Sequence, residues 1–310
     1  MQKNVLYLIA VLVIAVILVS AITVYTNPQI IGSGKSVTVV DDDGTQVTID
    51  SVPQRIVSLA PSGTEILFAV GAGDQVVGVT DWCDYPYNFA EWVADGKISS
   101  IGNYWQPAIE PIIALTPDLV IANGGGPSDE AAANLRSMGY TVIVLNPKTV
   151  DEVLTDIEII GKATGHANEA TNLISSLQSR IDAVTNKVAG ITDKPKIYIE
   201  VSDNPLMAVG PGSYIDDLVT LAGGANIFAD TGTAYPIVSS ESVISKNPDI
   251  ILSPFSGIAK RPGWSAINAV ANNKIYDRGN DASYVRGGPR LVDALEELSK
   301  TLHPELFGAT

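Results

Sequence analysis

One stretch of this chain occurs twice, and the second copy limits what the polypeptide can fold into. AIEPIIALTPDLVIAN, residues 108–123, returns as SSESVISKNPDIILSP, residues 239–254, in register and 131 positions later. Glu110 matches Glu241, Pro117 matches Pro248 and Asp118 matches Asp249. The apolar pairs Ile112/Val243, Ile113/Ile244, Leu119/Ile250 and Val120/Ile251 keep step with them. Each copy reads as a short helix, a Pro-Asp corner and a buried strand. A repeat of this size predicts two similar lobes, each with one glutamate at the start of an equivalent helix.

The rest of the pattern fits around that pair. Ser36 to Ile49 alternates apolar and polar residues about Asp43-Gly44, the signature of a two-stranded hairpin. A strand at Arg55–Leu59, a helix at Thr64–Val70 closed by Gly71 and Gly73, and a strand at Val76–Val79 follow. The alternation continues through Leu119–Ala122, a helix near Asp129–Met138 and a strand at Thr141–Leu145, which predicts a largely parallel sheet. From Val150 to Ala189 the period turns helical, broken at Gly165-His166. In the second segment Ala170, Leu173, Leu177, Ile181, Val184 and Val188 form one apolar face. At 1.5 Å per residue such a helix is roughly 33 Å long, enough to lie across two lobes. A strand at Lys196–Val201 and a helix at Tyr214–Leu221 open the second lobe. The predicted fold is therefore α/β: two Rossmann-like lobes with mainly parallel sheets, 36–150 and 191–310, bridged by one long helix within 151–190.

The chain begins differently. After Lys3, Asn4 to Tyr25 carries no charge, and roughly 20 apolar residues suffice to cross a bilayer. Residues 1–26 are predicted to be a transmembrane anchor or a signal peptide, and 27–35 a flexible tether. Lys3 at the inner end places the bulk of the chain outside the cell membrane, anchored to its outer face or secreted after cleavage.

Charge and residue usage then exclude several functions. Nineteen basic residues against 34 acidic ones give a net charge of −15, which argues against a nucleic-acid partner. The one cysteine, Cys83, rules out an intramolecular disulfide and a cysteine-based metal site. With only His166 and His303, a histidine-rich zinc site is also excluded, and no metal site or cofactor is expected. Gly71-Ala72-Gly73 lacks the spacing of a dinucleotide fingerprint, and no Gly-x-x-x-x-Gly-Lys loop occurs. Ser62 sits at a strand-to-helix turn, but in Ala-Pro-Ser-Gly-Thr rather than Gly-x-Ser-x-Gly. A secreted hydrolase centred on Ser62 stays open as an alternative, and it would need one of the two histidines as its base.

Aromatic residues are only 6% of the chain, yet they gather in loops expected at the carboxyl ends of strands, where open parallel sheets bind ligands. Trp82 follows one strand, Tyr104 and Trp105 another, and Tyr235, Tyr284 and Arg286 lie in the second lobe. Such rings suit a large, flat, partly apolar ligand held between the lobes. Arg286 would add a planar cationic fork for a carboxylate, an amide carbonyl or a phosphate, or else an interlobe ion pair. Glu110 and Glu241, favoured at helix starts by the dipole, could also dock as a pair onto arginines of a partner.

Several ordered motifs carry a family resemblance. RIVSLAPSGTEILFAVGAGDQVVGVTDWCDYP, the AIEPIIALTPDLVIA segment, YPIVSSESVISKNPDIIL and the terminal GGPRLVDALEELSKTLHPELF resemble the periplasmic binding proteins of cobalamin and ferric-siderophore ABC importers. The resemblance runs from Ser36 to the C-terminus. It implies two lobes bridged by a rigid helix and a non-enzymatic role: capture of a cobalt corrinoid, a ferric chelate or heme, and delivery to an ABC permease dimer with its ATPase. It further implies that Glu110 and Glu241 engage the permease and that Trp82, Tyr104 and Tyr235 line the cleft, with Arg286 at a cleft position.

Overall fold

The structure is a computed structural model that describes residues 36–277 and 283–307. The predicted membrane segment 1–26 and tether 27–35 lie outside the described residues. Among the described residues no helix is long and apolar enough to cross a membrane.

Strands β1 (Val37–Val40) and β2 (Gln46–Ile49) pair antiparallel, and Gly44 takes the left-handed conformation that the turn requires, at φ +76°. The first lobe continues with β3 (Ile56–Ser58), α1 (Pro61–Ala69), β4 (Val76–Val79), α2 (Phe89–Ala94) and β5 (Ser99–Ser100). It is completed by α3 (Ile109–Ala114), β6 (Leu119–Asn123), α4 (Asp129–Ser137) and β7 (Val142–Leu145). Its five strands are parallel in the order β5-β4-β3-β6-β7. Helices cover both faces, so β7 is buried along its whole length and its sequence, VIVL, is an unbroken apolar run. Helix α1 starts at Pro61, three residues before the expected Thr64, because proline presets the helical φ and its missing N–H costs nothing in a first turn.

Two helices join the lobes: α5 (Val150–Thr164), capped by the Thr149 hydroxyl and ended by left-handed Gly165, and α6 (Ala167–Val188). The buried side of α6 is Ala170, Leu177, Ile181, Val184 and Val188, nearly the face read from the sequence. The two helices approach closely at Gly161, where a Cβ would meet the Ala170 Cβ at 2.3 Å.

The second lobe repeats the first. It comprises β8 (Lys196–Asp203), β9 (Leu206–Ala208), α7 (Tyr214–Leu221), β10 (Ala225–Asn226), α8 (Ser240–Lys246) and β11 (Ile250–Ser253). After these come α9 (Asn268–Ala271), β12 (Ile275–Asp277), α10 (Leu291–Leu302) and α11 (Pro304–Phe307). The order β10-β8-β11-β12 is parallel, with β9 added antiparallel to β8. In both lobes the first strand is central and the strand after the repeated helix lies beside it. The Pro-Asp corners do identical work. Asp118 accepts from the backbone N–H of Arg55 at 2.9 Å, ahead of β3, and Asp249 accepts from Lys196 at 2.9 Å, at the start of β8. Helix α6 packs on α5 on one side and on α7 and α10 on the other, which ties both lobes to one rod.

Ile181 lies in the middle of that rod and is almost fully buried. Ile181→Ala should therefore lower stability by about 2–4 kcal/mol, read as a fall in the urea midpoint without loss of the helical spectrum. Helix α5 also buries Asp156 completely, and burial, reinforced by the charge of Asp42, pushes its carboxyl up to about 9. The folded state therefore holds a proton that the unfolded chain, with an ordinary carboxylate, releases. Stability contributed by this group falls as pH rises from about 4 towards about 9. Asp156→Asn should stabilise the protein at pH 8 by on the order of 2 kcal/mol and flatten the pH dependence of thermal unfolding over that window.

Candidate functional site

Each sheet changes direction beside its first strand, and the loops beyond the strand ends at those points form the facing surfaces of the lobes. In the first lobe these are the β3–α1 and β6–α4 loops, linked where Ser62 Oγ donates to Asn123 Oδ1 at 2.9 Å. The Gly124–Gly126 turn is held by the N–H groups of Gly125 and Gly126 donating to Asp129 at 2.9 and 3.0 Å. In the second lobe the ends of β8 and β11 enclose an apolar slot of about 90 Å³, lined in part by Ile199, Val201, Leu252, Pro254, Tyr284 and Val285. Beside it Glu200 is buried, accepts from Ser253 Oγ at 2.8 Å and pairs with Arg261 at 2.7 Å.

The expected ring residues of the first lobe do come together. Trp82 and Trp105 are exposed and meet edge to face, with centroids 6.3 Å apart, and Tyr104 packs on Trp105 at 5.2 Å. Tyr235 of the second lobe is also exposed, and it is close enough to Tyr104 that each phenolate would repel the other. Tyr214, the first residue of α7, lies near enough to both for their phenolate charges to disfavour its ionisation. Loss of solvent is the main reason all three phenols ionise above their ordinary range. The charge of Asp129 adds to this for Tyr104, and the neighbouring phenols add to it for Tyr214 and Tyr235. At neutral pH these are O–H groups that can donate and accept.

One expectation needs correction, and of the two alternatives for Arg286 the ion pair is the one realised. Tyr284 is only 4% exposed and belongs to the hydrophobic core, so its ring forms a wall of the slot and is not presented to the open cleft. Arg286 is not an open fork. Its side chain is 13% exposed and donates to Glu65 at 3.1 Å, to the Trp82 carbonyl at 3.3 Å and to Asp84. Arg290 completes the cluster, reaching Glu65 with two bonds of 3.0 and 2.6 Å and lying 4.1 Å above the Tyr85 ring. Sequence reasoning missed Glu65, Asp84, Arg290 and Tyr214 as site residues. The available signals were a lone acid within the apolar run ILFAV's helix and two arginines four apart in RGGPR.

Glu110 and Glu241 are both exposed, each the second residue of its helix, α3 or α8. The Glu241 carboxyl is held below its usual range by the backbone N–H at the helix start and by the Ser239 hydroxyl. The groups a hydrolase would need are engaged elsewhere. His166 Nδ1 faces the Thr164 carbonyl at 3.0 Å, and His303 Nε2 lies 3.2 Å from the Gly223 carbonyl. Cys83 is buried against the Thr64 and Thr80 hydroxyls, and burial pushes its thiol pKa up, away from reactivity.

Two parallel-sheet lobes on one helical rod, with ring-bearing loops at the strand ends, define the architecture of a two-lobed binding protein. The chain belongs to the periplasmic binding protein family, which it matches over residues 56–282. It is 34% identical to the uncharacterized ABC transporter substrate-binding lipoprotein YvrC of Bacillus subtilis, over 87% of each chain. Among solved structures, it resembles the periplasmic vitamin B12-binding protein BtuF of Vibrio cholerae with a TM-score of 0.72 and 30% identity, covering 83% of this chain and 99% of the other. The periplasmic heme-binding protein RhuT of Roseiflexus gives a TM-score of 0.69 at 27% identity, covering 82% and 99%.

The cluster around Glu65 separates buried from exposed charge. Glu65→Gln leaves two largely covered arginines short of an anion and should cost about 3–5 kcal/mol in a denaturant titration. Asp84 is 68% exposed, and Asp84→Asn should change stability by less than about 1 kcal/mol in the same assay.

Proposed function

We propose that the protein is the extracytoplasmic substrate-binding component of an ABC importer and that its cargo is a corrinoid. One observation carries this reading: the facing loops present indole rings and protonated phenols, while the arginine at this face is already neutralised by carboxylates of the protein. A corrin is broad and apolar on its faces, and its rim bears primary amides that pair with neutral O–H groups. The likeness to a vitamin B12-binding protein supports the same reading. An anionic iron chelate would meet, in Arg286, a guanidinium already paired with Glu65 and Asp84.

In this reading the protein performs no chemistry. Residues 1–26 tether it to the outer face of the membrane, and Glu110 and Glu241, one per lobe, dock onto arginines of a permease dimer whose ATPase supplies the energy. A second reading, an iron porphyrin, draws on the same phenols, because tyrosinate can ligate ferric heme iron. It requires one of these phenols to release its proton to solvent so that the phenolate oxygen can ligate the iron.

Titration of tryptophan fluorescence with cyanocobalamin should show saturable quenching at or below about micromolar concentration, and Trp82→Ala or Tyr104→Ala should weaken it about tenfold. Binding of hemin with a tyrosinate charge-transfer band and no response to cyanocobalamin would replace the corrinoid by heme. The Glu110→Lys/Glu241→Lys variant should keep its affinity and lose cobalamin uptake in cells. Loss of binding in that variant would remove the docking assignment.

A further inference from the structure

Glu65 does not need Arg286. Arg290 already holds it through two bonds, from Nε to Oε2 at 3.0 Å and from Nη2 to Oε1 at 2.6 Å, and Glu65 itself is only 1% exposed at its side chain. The capacity left on Arg286 goes to Asp84, and both terminal nitrogens reach that carboxylate, Nη2 to Oδ2 at 3.2 Å and Nη1 to Oδ1. This is the fork-to-fork geometry with which a guanidinium recognises an oxyanion. Asp84 is solvent-exposed and sits on the same loop as Trp82, whose ring is exposed and whose carbonyl accepts from Arg286. The carboxylate therefore stands between the guanidinium and the solvent, where an oxyanion of a ligand would bind. Two acids and two arginines balance, so the cluster presents no net positive charge.

We propose that Asp84 is a selectivity-determining residue, an internal anion that occupies Arg286 and so turns anionic chelates away from the cleft. An anionic ligand would have to displace Asp84 and then sit beside the displaced carboxylate, whereas a neutral corrinoid need do neither. Removing the carboxylate leaves Arg286 with a free donor pair and gives the cluster one unit of positive charge. Because Asp84 is exposed and its partner keeps the Glu65 contact, the change does not dismantle the interlobe packing. This proposal rests on the corrinoid reading for the identity of the favoured ligand, but its central claim concerns the rejected class.

The test uses the full protein, with trianionic iron(III) tris-catecholate and neutral cyanocobalamin as probes, read by quenching of tryptophan fluorescence. Asp84→Ala should bind the tris-catecholate complex at least about tenfold more tightly than the unaltered protein, one charge-assisted contact being worth about that much. The gain should shrink as salt is raised. Asp84→Glu should show no gain, and Asp84→Ala/Arg286→Gln should lose it. An unchanged affinity in Asp84→Ala overturns the proposal, as does an equal gain in the double variant, which would mean diffuse charge and not Arg286. Failure of the unaltered protein to bind cyanocobalamin removes the corrinoid reading alone. If the unaltered protein binds the trianionic chelate tightly, both ideas fall.

Discussion

Everything at the cleft depends on how helix α6 holds the two lobes apart. Its apolar side lies on α5 at one end and on α7 and α10 at the other. Polar pins add to this: Arg180 of α6 reaches Asp293 at 2.6 Å and Glu296 at 2.8 Å on α10. Arg286 and Arg290 carry the connection across to Glu65 of α1. A continuous helix resists bending, and a buried ion cluster tolerates little displacement, because separating its partners strands charge in low dielectric. The lobes are thus pre-positioned, which spares a ligand the cost of ordering them.

The duplication explains how two lobes can present matched features without matched function at every position. Asp118 and Asp249 terminate the same corner with the same backbone bond, and Glu110 and Glu241 ride on helices fixed by those corners. Geometry that depends on the backbone has been kept in both copies. The strand ends have diverged: the first lobe places Trp82, Tyr104 and Trp105 there, while the second has a slot beside the buried Glu200–Arg261 pair. One face offers broad rings and the other a narrow apolar recess.

The electrostatics of the cleft follow from burial more than from the net charge of the chain. Phenols crowded at the lobe junction lose solvent and stay protonated, and the arginine that could have drawn anions is satisfied from within. In the reading proposed above, such a surface would recognise by shape, stacking and neutral hydrogen bonds. Those contacts discriminate through the cost of leaving polar groups unpaired.

Much of this was legible before any coordinates. Strand and helix periods, the glycine stops, the Pro-Asp corners and the paired glutamates are local patterns, and the backbone obeys local patterns because its hydrogen bonds close within a few residues or along a strand. The 131-residue repeat even predicts which helices are equivalent. Tyr284 and Arg286 mark the limit. The residue types suggest ligand contacts for both, with an ion pair as the alternative for Arg286; one is core and the other takes that ion pair, since burial and pairing depend on what the other lobe brings. The sequence by itself determined two similar α/β lobes, a stiff rod between them and rings in the loops. Only the tertiary structure decided that Glu65 meets Arg290 across 225 positions and that Asp84 covers Arg286, because a charge pair is set by distance in space and leaves no periodic trace along the chain.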